Sequence, residues 1–240
     1  KITNGATFQW DVVDSIRGGN RVSHTNSNSA EDVDFVYGYV NSFDNDGFTM
    51  TAGSSSIENW NQNGYTYTAF CWKGGNGNTS NSDGTSTSTV SANTDAGFSI
   101  ISYTGGQGSD FTIGHGLSQA PELIITKTRN TSGDWGVYTT ALGVNTNWYR
   151  LNNVNGTGSA GGTLAGGAYV ILNSSTIEVG SNSFANSSNS MISYAWHSVP
   201  GYSKIGSYKG NNNSDGPYVH CGFKPALVII KRADTSGSWC

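Results

Sequence analysis

The sequence predicts an all-β protein built from tandem antiparallel β-sandwich or jelly-roll-like repeat units. Three observations predict this fold class: a composition rich in Gly, Ser, Thr and Asn, short apolar runs between frequent turn signals, and a long internal repeat. Only 12% of the 240 residues are charged, and 33 are glycine. Such a composition forms helices poorly, while seven Trp, twelve Tyr and nine Phe residues provide apolar surface for a core.

The internal repeat relates two blocks that are 104 residues apart. Residues 121–135 (PELIITKTRNTSGDW) match residues 225–239 (PALVIIKRADTSGSW) at eight of fifteen positions. A second block relates residues 67–72 to residues 192–196. Recurrence at one position favours a role in the core of each unit. The predicted core repeat positions are Trp10, Trp135, Trp239, Pro121, Pro225, Lys127 and Lys231.

The apolar runs inside the repeat predict buried strands. Leu123–Ile125 and Leu227–Ile230 are short, β-branched and bounded by proline and a polar turn, which favours core strands over helices. Lys127 and Lys231 end these strands at equivalent places. We expect each lysine stem to cover the core edge while its ammonium group reaches water.

The order of the blocks predicts a segment of a longer repeat protein. Residues 1–73 form part of a first unit whose start lies before Lys1, residues 96–200 a second unit, and residues 201–240 the truncated start of a third unit. Residues 74–95 contain almost no apolar side chain and are predicted to be a linker or an exposed loop. An extended arm ordered on an assembly partner is the alternative.

Several classes of partner are disfavoured by charge and cysteine spacing. The net charge is −4 without a basic stripe, which argues against nucleic-acid binding. No run of 18 apolar residues is available for membrane insertion. Cys71, Cys221 and Cys240 lack the spacing of a zinc site, so no cofactor is expected, and Cys71 and Cys221 are predicted to be small buried hydrophobes.

No set of residues predicts catalysis, so the protein is not expected to be an enzyme. His115, between two glycines, is predicted to be a structural side chain hydrogen-bonded to a neighbouring loop, with a ligand contact as the alternative. One acidic cluster is predicted to be a solvated loop, with a Ca²⁺ site as the alternative. This cluster consists of Glu31, Asp32, Asp34, Asp44 and Asp46.

Two tryptophans with polar neighbours are candidates for contact with a ligand. Trp60 lies in an Asn-rich stretch, and Trp148 and Tyr149 follow another. Exposed aromatic rings stack on sugars, and Asn, Ser and Thr side chains hydrogen-bond sugar hydroxyls. Trp60, Trp148 and Tyr149 are therefore predicted as candidate surface contacts.

The ordered blocks resemble an uncharacterised repeat domain of virion structural and tail-fibre-like proteins of marine bacteriophages of the cyanophage type. The resemblance rests on residues 97–105, 114–127 and Trp135, on their second copy at residues 201–231, and on residues 10–18. It implies a virion setting, such as a fibre, a tail or capsid decoration, and it supplies no catalytic residues.

The sequence and the resemblance together predict a non-enzymatic virion structural protein on the particle surface, outside the cell. Expected partners are further copies of the chain, other virion proteins and a host surface glycan. The alternatives are a cell-surface adhesin or glycan-binding repeat protein, and a tailspike-type glycan hydrolase. A hydrolase would need two carboxylates flanking a cleft, and the sequence alone places no such pair.

Overall fold

The computed structural model describes residues 9–33, 36–56, 60–106, 108–142, 148–152, 162–165, 168–186, 188–234 and 239. Within these residues the secondary structure is β, with a single 3-10 turn at Thr140–Leu142. The strands are β1 (Asp11–Asp14), β2 (Gly18–His24), β3 (Asp32–Val33), β4 (Tyr39–Phe43), β5 (Phe48–Thr51), β6 (Thr79–Asn81), β7 (Ser88–Asn93), β8 (Phe98–Thr104), β9 (Phe111–Gly114), β10 (Leu123–Thr128), β11 (Gly136–Thr139), β12 (Tyr149–Arg150), β13 (Val170–Leu172), β14 (Thr176–Val179) and β15 (Ser190–Trp196).

The largest sheet has seven antiparallel strands in the order β12-β11-β10-β15-β8-β7-β6. We call it the main sheet. Its centre is β15, which pairs with β10 on one side and β8 on the other. Ile124 lies opposite Ala195, and both are fully buried. The all-β prediction is confirmed in the described residues.

The main sheet is buried on both faces. On one face, Ile101 and Ile124 pack against Ile113 and Ile177 of the three-stranded sheet β13-β14-β9. On the other face, a smaller apolar cluster includes Val12 and one further apolar residue from before β3. Successive strand residues alternate between the two faces, so the same strands contribute to both clusters.

Residues before the main sheet form two small sheets, β1-β2-β3 and β4-β5. β2 lies beside β4, and Gly19 approaches β4 so closely that a Cβ atom there would come within 2.0 Å of the Val40 carbonyl oxygen. A larger residue at position 19 would force the two elements apart.

The prediction that residues 74–95 form a linker or an exposed loop is wrong for much of the tract. It contributes β6 and β7 to the main sheet, and Val90 lies opposite Ile101. Ser88 and Val90 are buried. Pairing with β8 satisfies the backbone hydrogen bonds of this polar tract. The tract can therefore join the sheet although its small hydroxyl side chains bury little apolar surface.

Repeated glycines keep their backbone conformation in both copies. Gly97 and its counterpart Gly201 have φ angles of 63° and 77°, and Gly116 and its counterpart Gly222 have φ angles of 71° and 82°. These left-handed conformations favour glycine over other residues. The glycine itself therefore determines the turn conformation in both copies of the repeat.

The strand predicted at Leu227–Ile230 does not form. These residues lie outside all strands and are exposed, and Pro225 is exposed while its counterpart Pro121 is buried. β10 is held between β11 and β15. Residues 201–234 contain no counterpart of β15, so the second apolar run lacks the neighbour that buries the first.

Candidate functional site at the junction of the repeats

Trp10 is held by a local hydrogen-bonded arrangement. The Thr25 amide donates to the Trp10 carbonyl at 2.9 Å, and the Trp10 amide donates to the Asn26 side-chain oxygen at 3.3 Å. The next residue, Asp11, pairs with His24 across β1 and β2. The tryptophan is thereby fixed at the start of a hairpin.

Trp135 repeats this arrangement in the second unit. The Leu151 amide donates to the Trp135 carbonyl at 3.1 Å, and the Trp135 amide donates to the Asn152 side-chain oxygen at 3.0 Å. Gly136 pairs with Arg150 across β11 and β12. Trp10 and Trp135 therefore occupy equivalent positions, and so do His24 and Arg150.

The tryptophan of each later unit contacts the unit before it at the same place. The Trp135 indole N–H donates to the His24 carbonyl at 2.8 Å, and the Trp239 indole N–H donates to the Arg150 carbonyl at 3.1 Å. Because His24 and Arg150 are equivalent, one junction geometry occurs twice. The repeated tryptophan therefore connects one copy of the sequence repeat to the copy before it.

Each of the first two tryptophans stacks on an equivalent ring. Trp135 lies 6.5 Å from Tyr194 with an interplanar angle of 20°, and Trp10 lies 6.0 Å from Phe70 with an angle of 19°. Trp135 is 1% exposed, whereas Trp10 is 38% exposed. The prediction of a core position holds for Trp135. It is wrong for Trp10, because the first unit covers the Trp135 pair and no described segment covers the Trp10 pair in the same way.

A buried arginine from the first unit anchors the covered pair. The Arg17 guanidinium donates to the Asp14 carboxylate, to the Val12 carbonyl at 3.0 Å and to the Tyr194 hydroxyl at 3.0 Å. The Tyr194 hydroxyl donates to Asp14 at 2.7 Å, which closes a triangle between the two units. The Arg17 side chain is fully buried.

Two members of this triangle, Arg17 and Tyr194, keep their ordinary protonation states. Burial alone would lower the pKa of Arg17, but the charge and hydrogen bond of Asp14 and the charge of Glu31 act in the opposite direction, and the pKa is raised. Burial also raises the pKa of Tyr194 well above 10. The junction therefore contains a permanent guanidinium cation and a neutral phenol.

Glu31 extends the network to the second unit. Its carboxylate accepts two hydrogen bonds from Arg129, at 2.9 and 3.0 Å, and one from Arg17 at 3.1 Å. Partial burial would raise the pKa of Glu31, but the hydrogen bonds from Arg129 and the charge of Arg17 lower it below its ordinary value. The paired, ionised carboxylate is thus favoured in the folded state.

We expect Glu31 to make the junction sensitive to acid. A carboxyl group with a lowered folded-state pKa stabilises the fold above its unfolded pKa, and this contribution is lost as the pH falls through the folded pKa. Glu31→Gln should lower stability at pH 7 by about 2 kcal/mol. It should also remove the contribution of this carboxyl group to the loss of folding stability below about pH 4.5. Urea unfolding between pH 7 and 3 measures both effects.

The matched control is Asp32→Asn, since Asp32 is the exposed neighbour of Glu31. It should leave stability at pH 7 within about 0.5 kcal/mol of the wild type. Equal losses in the two variants would contradict the role given to Glu31.

The predicted surface aromatics are placed differently from expectation. Tyr149 is only 3% exposed, so its prediction as a surface contact is wrong: β12 pairs with β11 and turns this ring inward. Trp148 is half-buried, with Phe184 edge-on at 4.6 Å and the Arg150 guanidinium over its ring at 4.7 Å. Trp60 is also half-buried. These three rings do not form one aromatic surface for a sugar.

Lys127 is fully buried, and the expectation that its ammonium group reaches water is wrong. The ammonium group donates to the Thr128 carbonyl at 2.8 Å. Burial lowers the pKa of Lys127 to about 8. Lys231, its counterpart, is partly exposed beside Trp239. The difference follows from position, because Lys127 lies in β10 of the main sheet, paired with β15, whereas Lys231 lies outside all named strands.

We expect Lys127 to cost stability when it is charged. With a folded-state pKa near 8 and an ordinary value near 10.5, the unfolded chain binds the proton more tightly, so stability rises with pH between these values. Lys127→Met should match or exceed the wild type at pH 7 and lose this rise. Urea midpoints from pH 7 to 9.5 test this, with Lys231→Met as the partly exposed control. A parallel rise in wild type and Lys127→Met would contradict it.

The remaining polar candidates are His115 and the acidic cluster. His115 is buried; its Nδ1 accepts from the Leu117 amide at 3.0 Å and its Nε2 lies 3.2 Å from the Asn173 carbonyl oxygen, which confirms the structural prediction. Burial lowers its pKa and favours the neutral ring. In the acidic cluster, Asp34 lies outside the described residues. Among the described residues, no group of three His, Cys, Asp or Glu side chains is arranged to hold a metal ion.

Cys71 is exposed and Cys221 is partly exposed, so the prediction of two small buried hydrophobes is wrong. Cys71 corresponds to Ala195 in the paired strand β15, whereas Cys221 corresponds to His115, which lies just after β9. The sequence analysis also missed the Asp14–Arg17–Glu31–Arg129 network. One signal could have pointed to it, since few charged residues occur in the chain and three of these four lie within 18 residues.

Comparison with known proteins identifies the family to which the chain belongs and nothing further. No helix in the described residues is long and apolar enough to cross a membrane. No curated protein and no solved structure matches the chain significantly. The model of the family described as a domain of unknown function, DUF7483, matches residues 1–240. The chain therefore belongs to the DUF7483 family.

Proposed function

We propose that this chain is a non-enzymatic structural protein of a viral particle, a fibre, tail or capsid-decoration component built from tandem β-sandwich-like units. It acts by assembly at the particle surface, with further copies and other virion proteins as partners and a host surface glycan as a target for attachment. The resemblance of its repeated blocks to phage virion proteins supports the viral setting.

The observation that carries the structural role is the repeated junction. Trp135 and Trp239 donate to equivalent carbonyls of the preceding unit at 2.8 and 3.1 Å. A contact that recurs in one direction allows units to be added in series without a new interface for each. This is the arrangement expected of an extended structural protein.

The buried ionic network supports the same role. Arg17 and Glu31 bridge the first unit to Tyr194 and Arg129 of the second. Such a network fixes the orientation of two units because its hydrogen bonds are satisfied in only one geometry. Weak surface contacts presented by many oriented units would gain strength through avidity.

Mass spectrometry of virus particles purified on a density gradient tests the viral setting. Peptides of this chain should be enriched in the particle fraction over the cell-envelope fraction of the same culture, and antibodies against it should label particles in electron micrographs. Enrichment in the cell envelope would instead favour the adhesin alternative. Release of reducing sugar from an envelope polysaccharide by the purified chain would favour the hydrolase.

A further inference from the structure

His115 is a buried histidine whose two ring nitrogens have different partners. The residue is 0% exposed. The Leu117 amide donates to Nδ1 at 3.0 Å, and the Asn173 carbonyl oxygen lies 3.2 Å from Nε2. Because an amide N–H only donates and a carbonyl oxygen only accepts, Nδ1 carries no proton and Nε2 carries one. The fold therefore selects one neutral tautomer of this ring.

The ring joins two connections of the second unit. His115 and Leu117 lie in the connection from β9 to β10, and Asn173 lies in the turn from β13 to β14. The His115 amide also donates to the Ser175 carbonyl in the same turn at 3.3 Å. This contact continues the antiparallel pairing of β14 with β9. His115 therefore closes one end of the three-stranded sheet β13-β14-β9.

The connection from β9 to β10 also covers one end of the larger apolar core. Leu117 is 7% exposed and belongs to the same buried cluster as Val90 of β7. Gly116 lies so close to β7 that a Cβ atom there would come within 3.1 Å of the Val90 side chain. The connection therefore cannot move away from His115 without uncovering apolar surface at this end of the core.

We propose that His115 is an acid-operated latch: a proton added at Nδ1 breaks the hydrogen bond from the Leu117 amide and releases the β9–β10 connection from the β13–β14 turn. A protonated Nδ1 is a donor that faces a second donor, the amide N–H, in a buried site. Since the ring is 0% exposed, relief of this contact requires the connection to move. The latch lies wholly within the second unit and does not depend on the viral setting.

Two titratable groups act on the ring from neighbouring elements. Asp83, exposed in the β6–β7 connection, favours the protonated ring, and His197, buried just after β15, opposes it when charged. Burial is the largest effect and lowers the pKa of His115 below its ordinary value of 6.5. The unfolded chain therefore binds this proton more tightly than the folded chain does. The stabilisation present above pH 6.5 is lost as the pH falls through the folded-state pKa.

The pH range of the latch is separate from the ranges of the two buried groups described above. Glu31 acts below about pH 4.5, and Lys127 acts between about pH 8 and 10.5. Measurements between pH 7.5 and 5 therefore report His115 with little contribution from either group.

Hydrogen exchange of the Leu117 amide measures the latch directly, because this amide is the donor that the added proton displaces. The measurement uses the full chain and the protection factor, which corrects for the intrinsic pH dependence of exchange. Protection of Leu117 should fall on the order of tenfold between pH 7.5 and 5. The Leu151 amide, which donates to the Trp135 carbonyl, is the reference and should change by less than about twofold.

Two asparagine variants separate His115 from its neighbour. His115→Asn removes the titratable ring but keeps an acceptor for the Leu117 amide, because the side-chain oxygen of asparagine can take the place of Nδ1. Protection of Leu117 in this variant should stay within about twofold from pH 7.5 to 5. His197→Asn is the matched control, since it removes the neighbouring buried histidine, and it should retain the fall.

Three outcomes would overturn the inference: an equal fall of Leu117 protection in the wild type and His115→Asn, a fall in the wild type no larger than that of Leu151, or loss of the fall in His197→Asn alone. The second outcome needs no variant and stays decisive if His115→Asn does not fold. Nitrogen NMR of the wild type at pH 7.5 gives an independent readout. His115 should show a protonated Nε2 and an unprotonated Nδ1, and the opposite tautomer would contradict the latch.

Discussion

Replacing Arg17 with methionine should destabilise the folded chain by about 3–5 kcal/mol, because it leaves Asp14 buried without a cation and removes one of the two arginines that donate to Glu31. The Tyr194 hydroxyl would also lose one of its two partners. Methionine preserves most of the side-chain volume, so the loss reports the charge and hydrogen bonds and not a cavity. Urea unfolding followed by tryptophan fluorescence measures the change.

Arg21→Met is the matched control for this change. Arg21 lies 3.8 Å from the same Glu31 carboxylate, but its side chain is 44% exposed. Exposed ion pairs contribute about 0–1 kcal/mol, so this variant should stay close to the wild type. Arg17→Lys separates charge from geometry, since an ammonium group cannot donate to all the partners of a buried guanidinium. If Arg17→Met cost no more than Arg21→Met, the network would not hold the junction.

The local features of the fold follow from the sequence, because local rules decide them. A β-branched run after Pro121 predicts β10, and the repeated turns at Gly97 and Gly116 recur with left-handed backbone at Gly201 and Gly222. Glycine at these positions makes the turn whatever surrounds it. The all-β class follows from the same signals.

Whether a predicted strand forms, by contrast, depends on the strands that lie next to it. Leu227–Ile230 is at least as apolar as β10 but stays exposed, while the polar tract that holds β6 and β7 joins the main sheet. Ladder hydrogen bonds come from adjacent strands, and no property of a single segment reveals whether an adjacent strand is present. The presence or absence of a partner strand therefore outweighs local composition. An apolar segment without a partner strand stays exposed, and a polar segment with one joins the sheet.

The junction could not be predicted for a related reason. Arg17 and Tyr194 are 177 residues apart in the chain and meet only through the packing of the first unit on the main sheet. The repeat did locate Trp135, but it assigned the same buried role to Trp10. Equivalent positions share their local hydrogen bonds, whereas burial depends on which unit lies next to them.

That difference makes the two tryptophans a test of the junction. Trp135→Ala should cost about 3–5 kcal/mol, because the ring is 1% exposed and leaves a large cavity beside Tyr194. Trp10→Ala removes the same side chain from the same local hairpin, but its ring is 38% exposed. In dilute solution we expect its cost to be on the order of 1 kcal/mol. Urea unfolding compares the two variants directly.

A third variant, Trp135→Phe, isolates the indole hydrogen bond to the His24 carbonyl. It retains most of the packing and should cost about 1 kcal/mol from the lost hydrogen bond, in addition to any packing change. Equal destabilisation by Trp135→Ala and Trp10→Ala would contradict the junction, since it would assign the whole effect to the local hairpin that both residues share. A larger loss at Trp135 locates the difference in the contact with the preceding unit, which only Trp135 makes within the first two units.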